Sequence, residues 1–143
     1  MFSPDGLWLA YHQFPGWRSS SSTGISEVFA RPFNGSGEIQ ISNEGGHQPA
    51  WSPTGKELFY WKYTPTGMQM LAVDVVPGPL LRPGKPHVLF EGNYRSGGRA
   101  NYDVTRDGQR FLMIQPIAPP PITELQLVVN WFEELRARAR PTR

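Results

Sequence analysis

The phrase FSPDGLWLAY at residues 2–11 returns as WSPTGKELFY at 51–60 and, with more substitutions, as VTRDGQRFLM at 104–113. Repetition at a period of roughly 50 residues constrains a fold strongly, because every copy must build the same supersecondary unit. Glycine keeps its place in all three copies, as Gly6, Gly55 and Gly108. Ser3, Ser52 and Thr105 precede the turn, and Leu9, Leu58 and Phe111 follow it. Behind the copies come EVFARPF at 27–33, MQMLAVDV at 68–75 and LQLVVNW at 125–131, with EIQIS at 38–42 and HVLFEG at 87–92 as further strand-like runs.

The repeated phrase is turn chemistry. Pro4 and Pro53 preset φ for a hairpin turn, and Asp5 and Asp107 can bond the backbone of that turn. Gly6, Gly55 and Gly108 supply the left-handed conformation that completes it. The runs that follow are rich in β-formers and alternate only roughly, as strands buried on both faces do. With 15 Gly and 15 Pro, the chain has the turn residues that many short strands require. Each unit therefore holds four short antiparallel strands, and radial packing of such units is the propeller architecture. A β-sandwich would place its turns at irregular offsets and repeat no strand sequence. The expected fold is all-β: a partial β-propeller of about two and a half four-stranded antiparallel blades with a short C-terminal α-helix.

With the turn joining strands A and B, blade one (1–43) has B near 7–14, C near 26–32 and D near 38–42, and lacks its first strand. Blade two (44–92) is complete, with A 47–52, B 56–63, C 68–75 and D 87–91. Blade three (100–131) has A 101–105, B 109–115 and C 125–131. A terminal helix at 131–139 follows, with Asn130 as N-cap, Glu133 as its capping-box partner and Pro141 as its stop. Trp131, Phe132 and Leu135 share an apolar face of it, and Glu134 pairs with Arg138. Propellers close with four to eight blades. The reading therefore expects a C-terminal part of a longer protein, whose remaining blades come from sequence outside this chain. It also expects exposed apolar faces, and aggregation or marginal stability of the chain alone. Two copies head to tail would not complete each other's blades, since neither has a spare strand.

The sequence of 143 residues fits one domain, has no Cys and carries a net charge of +2. Disulfides and thiolate metal sites are thereby excluded, and the charge argues weakly for an anionic partner. No basic leader or membrane-length apolar run is present in it. His12, His47 and His87 lie at no metal-ligand spacing. Asp74 and Asp103 sit beside strands without an evident partner. GISEV at 24–28 lacks the second glycine of a nucleophile elbow, and no phosphate loop or kinase catalytic loop occurs. No catalytic residue, cofactor or metal is expected. RARAR at 136–140 reads as a solvated helix end rather than a nucleic-acid site.

In a propeller the B–C and D–A connections emerge on one face. That places FPGWRSSSSTG (14–24) and GNYRSGGRANY (92–102) together, with Trp17, Arg18, Tyr94, Arg95 and Arg99 as a candidate partner-binding rim. Aromatic and arginine side chains are the types that anchor interfaces.

The hairpins, and the order of strands from EVFARPF to LVVNWFEEL, resemble the TolB-like, WD40-like (PD40) β-propeller repeats. They are similar in particular to the C-terminal propellers of bacterial serine/threonine protein kinases. The resemblance covers essentially the whole chain. It implies a non-catalytic module for protein or ligand binding and sensing, in a periplasmic or extracytoplasmic setting with the cytoplasm as alternative. A second implied setting is the accessory propeller of a prolyl-oligopeptidase-like serine peptidase, whose catalytic domain is not in this chain.

Overall fold

The computed structural model describes residues 1–14, 25–76, 78–95, 101–117, 123, 129 and 131–139. It is built of antiparallel sheets and one short helix. The first sheet runs β1 (Trp8–Gln13), β2 (Glu27–Pro32) and β3 (Ile39–Gln40), neighbours in chain order. The second contains β4 (His47–Trp51), β5 (Glu57–Thr64), β6 (Gly67–Val76), β7 (Arg82–Pro83) and β8 (His87–Gly92). A third hairpin pairs β9 (Tyr102–Val104) with β10 (Phe111–Met113), and helix α1 spans Trp131–Arg138.

The three turns have one construction. Gly6, Gly55 and Gly108 lie at φ 72°, 70° and 72°, where a Cβ is penalised. Their N–H groups donate to Ser3, Ser52 and Thr105 carbonyls at 2.9, 2.8 and 2.8 Å. In the first turn Ser3 Oγ donates to Asp5 Oδ1 at 2.5 Å and accepts the Trp8 N–H at 2.9 Å. In the third, Thr105 Oγ1 donates to Asp107 and accepts the Arg110 N–H at 3.1 Å. In the second, Thr54 stands where the aspartate would be, and its hydroxyl meets Ser52 Oγ at 3.0 Å.

Ahead of the first turn, where no strand was expected, residues 1–2 fold back onto β1. Phe2 bridges Leu9, and the Ala10 N–H donates to the Met1 carbonyl at 2.8 Å. The turn itself compels this, because reversing the chain at Ser3–Gly6 leaves whatever precedes it beside β1. The second sheet differs from expectation in β7. Strand β6 has ten residues, more than β8 spans, and its edge is shared. β8 pairs with Met68–Ala72, while β7 pairs with Val75 and Val76. The expected strand at 125–131 and the capping residue Asn130 lie outside the described residues, apart from Val129 and the start of α1.

The rough hydrophobic alternation of β5 and β6 now has its reason. Leu58, Tyr60, Leu71, Val73 and Val75 face the first sheet, meeting Trp8, Ala10, Val28, Ala30 and Ile41 in one core. Phe59, Trp61, Met68, Met70 and Ala72 face the third hairpin and meet Tyr102, Val104, Phe111 and Met113. Both faces of the second sheet are covered, so neither can be polar. The two junctions are alike at their turns. An added Cβ on Gly55 would meet Pro4 of the preceding turn at 3.7 Å, and one on Gly108 would meet Ser52 at 3.0 Å.

Candidate functional site: a cleft floored by the leading strands

The leading segment of each unit borders one hollow of about 760 Å³. Met1 comes from the first unit, Gln48, Pro49 and Ala50 from β4, and Asn101, Tyr102 and Asp103 from the third. Tyr11 and His12 of β1 form one wall, and Leu112 and Ile114 of the third hairpin form another. The hollow mixes methyl and methylene surface with an imidazole, a carboxylate and amides, the composition of a recognition site rather than a core void.

Its floor is irregular by construction. The β4–β5 register shifts between His47 and Ala50, a bulge, and Gln48 sits there at φ 50°. A non-glycine residue in that region is held only where its surroundings fix it. The fixing group is Tyr102, whose hydroxyl donates to the Gln48 carbonyl at 2.7 Å. Burial pushes the Tyr102 phenol well above its ordinary range, so it serves as a neutral donor and not as an acid–base group.

At the edge of the cleft the structure brings together two histidines far apart in sequence. The rings of His12 and His47 are 5.9 Å apart, with Phe14 at 6.2 and 5.9 Å from them and Tyr63 at 4.7 Å from His47. The Gln48 N–H points at His12 Nδ1 at 3.4 Å, which requires that nitrogen to be unprotonated. Burial lowers the pKa of His12. It also lowers that of His47, helped by repulsion from His12 and opposed by Glu27. Among the described residues no group of three or more His, Cys, Asp or Glu could hold a metal ion.

Of the sequence-derived rim, Trp17, Arg18 and Arg99 lie outside the described residues. Arg95 is exposed, and its backbone N–H donates to the Ile114 carbonyl at 2.8 Å. Tyr94 is turned inward. Its ring lies 5.7 Å from Trp61 and 6.0 Å from Phe90, and it lines a second hollow of about 460 Å³ with Phe59, Phe90, Phe111 and Met113. Pro4, Asp5, Gly6, Pro53, Gly55, Asp107 and Gly108 all sit in the turns, and none of them borders the cleft. Asp103 accepts its neighbour Val104 N–H at 2.8 Å and reaches the cleft. His87, on β8, is exposed.

Of the buried serine hydroxyls, Ser26 has no hydrogen-bond partner among the described residues, while Ser42 is bonded on both sides. Ser42 accepts the Val28 N–H at 2.8 Å and donates to Glu27, whose other oxygen accepts the Gly45 N–H at 2.9 Å. Among the described residues, no helix is long and apolar enough to cross a membrane. No family model matches the chain, and neither does any curated protein.

Proposed function

We propose that the chain is a non-catalytic recognition module, a set of propeller-type blades that holds a short peptide segment of a partner protein in its axial cleft. The observation that carries this is the cleft's construction. Corresponding leading segments of three units, Met1, Gln48–Ala50 and Asn101–Asp103, converge on one hollow, as first strands do around a propeller axis. The walls suit a peptide with an apolar side chain against Leu112, Ile114 and Pro49 and a cationic group near Asp103.

The non-catalytic part of the reading rests on the sequence, which holds no nucleophile elbow and no phosphate loop. His12 and Asp103 both border the cleft, yet neither is bonded to a nucleophile among the described residues. The buried serines Ser3, Ser42 and Ser52 serve turns and strand ends, and the buried Ser26 hydroxyl has no partner among the described residues, base included. Among the described residues, a nucleophile with its base in reach, the minimum for hydrolysis, is not assembled there. The kinase-linked and TolB-like resemblance fits this reading, in which the blades sense and do not react.

Selection of peptides from a random linear library on the full chain provides the probe. The best binder should lose at least about tenfold in affinity with His12→Ala or Asp103→Ala, and be unchanged by Arg95→Ala on the rim. Failure to select any peptide, or a binder indifferent to both cleft substitutions, would overturn the reading. Specific labelling of one serine by a fluorophosphonate probe would overturn its non-catalytic part.

A further inference from the structure

The face of the second sheet that receives the first sheet exists a second time, uncovered at its Phe2 and Phe33 end. Counting from the turn glycines Gly6 and Gly55, residues Phe2, Leu9 and Tyr11 occupy the places of Trp51, Leu58 and Tyr60. The strand registers extend the match. Leu9 pairs with Arg31 and Tyr11 with Phe29, as Leu58 pairs with Val73 and Tyr60 with Leu71. Phe33 then corresponds to Val75. In the second sheet these positions are shut against the first, with Trp51 4% and Val75 5% exposed. In the first sheet they open outward, with Phe2 50% and Phe33 55% exposed. Phe2 and Phe33 pack edge to face at 5.1 Å, and Tyr11 stacks on Phe29 at 6.0 Å.

Part of the other half of the contact is also on the chain. The first sheet seats itself through Trp8 and Ala10 of β1 together with Val28 and Ala30 of β2 and Ile41; the β1 part of that contact has counterparts among the described residues of the third unit. Counted from Gly108, the third hairpin places Arg110 and Leu112 there, with Ile114 in the place of His12. Leu112 is 73% exposed and Ile114 about half.

We propose that the occupant of the first sheet's outer face is a second copy of this chain, seated through the outer side of its β9–β10 hairpin. The same unit-to-unit contact is already made twice within one chain, with Pro4 against Gly55 and Ser52 against Gly108 at the turns. A third use needs one donor face and one receiving face; the described residues supply the receiving face and the β9–β10 part of the donor face, and the two are unlike. The contact buries faces and shares no strand, so the lack of a spare strand does not oppose it. Both faces carry charges of both signs, Glu38 and Arg31 on the receiving side and Asp103, Asp107 and Arg110 on the donor side, so neither presents a field of one sign. Two different patches meeting head to tail make a heterologous contact, which closes into a ring or extends.

Sedimentation velocity of the full chain over a concentration series, with no peptide present, tests this; Leu112 and Ile114 also border the cleft, whereas Phe2 and Phe33 on the receiving face do not, so the receiving-face variants separate association from peptide binding. The wild type should shift from monomer to dimers or longer assemblies as concentration rises. Phe33→Asp on the receiving face and Leu112→Asp on the donor face should each weaken association at least about tenfold, with unchanged circular dichroism. Phe2→Asp serves as a second receiving-face variant, so the test survives if Phe33→Asp misfolds. An equimolar mixture of Phe33→Asp and Leu112→Asp retains one good donor and one good receiver, and should form discrete one-to-one dimers. A wild type that stays monomeric throughout, association that survives either substitution, or a mixture that stays monomeric would overturn the proposal.

Discussion

The Tyr102 hydroxyl reaches across from β9 to donate to the Gln48 carbonyl at 2.7 Å, and so ties the third hairpin to the one left-handed residue on the cleft floor. The Tyr102 ring packs edge to face on Trp61 at 5.5 Å, so one residue serves the junction of two units and the shape of the cleft together. Tyr102→Phe keeps the ring and removes the donor. A net loss of about 1 kcal/mol is expected, the worth of one hydrogen bond. Urea unfolding of the variant against wild type measures it. An unchanged midpoint would show that the bulge holds itself.

The turn glycines differ in what surrounds them, and the expected costs follow. Gly55→Ala should lose on the order of 1 kcal/mol, purely for the left-handed backbone, because its nearest neighbour would be Pro4 at an ordinary 3.7 Å. Gly108→Ala should lose more, since its Cβ would press on Ser52 Oγ at 3.0 Å. Gly55→Asn should lose less than Gly55→Ala, as asparagine tolerates this conformation better. Thermal melts of the three variants give the order, and an order inverted at Gly108 would refute the stacked-turn geometry.

Stability should depend on pH through His12 and His47. Both have folded pKa values below the ordinary 6.5, by burial first and for His47 also by repulsion from His12. As pH falls through about 6.5 the unfolded chain therefore takes up protons before the folded one, and stability falls with it. Asp5, Asp107, Glu44 and Glu91 are shifted below their usual values of 3.8 and 4.5, so their contribution is lost only at lower pH still. The window between pH 6.5 and 4.5 isolates the histidines. Denaturation midpoints in that window should decline for wild type and stay flatter for the His12→Gln, His47→Gln double variant. Parallel slopes would show that the pair is solvated.

How much of this was legible depends on sequence distance. The hairpins were, because Ser3, Pro4 and Gly6, and their counterparts, fix φ and the bonding of a turn within four residues. The β4–β5–β6–β8 order of the second sheet was legible for the same reason. Strand β7 was not, because Arg82–Pro83 in a proline-rich stretch has no strand signature and pairs only where β6 overhangs β8. Tyr94 reads as a loop aromatic, and only its packing on Trp61 shows it turned inward. The cleft draws one segment from each of three units, and the His12–His47 contact spans two. Such relations come from inter-unit packing, which no local pattern encodes. The left-handed Gln48 had no signal at all, since glutamine is not a turn residue.

Methyl-resolved NMR of the full chain during titration with the selected peptide tests the recognition account most directly. Shifts are expected at the methyls of Met1, Ala10, Ala50, Leu112 and Ile114, which border the cleft. Val88 and Leu89, on the far strand β8 of the second sheet, should not move. Shifts centred on Val88 and Leu89, with the cleft methyls silent, would contradict it.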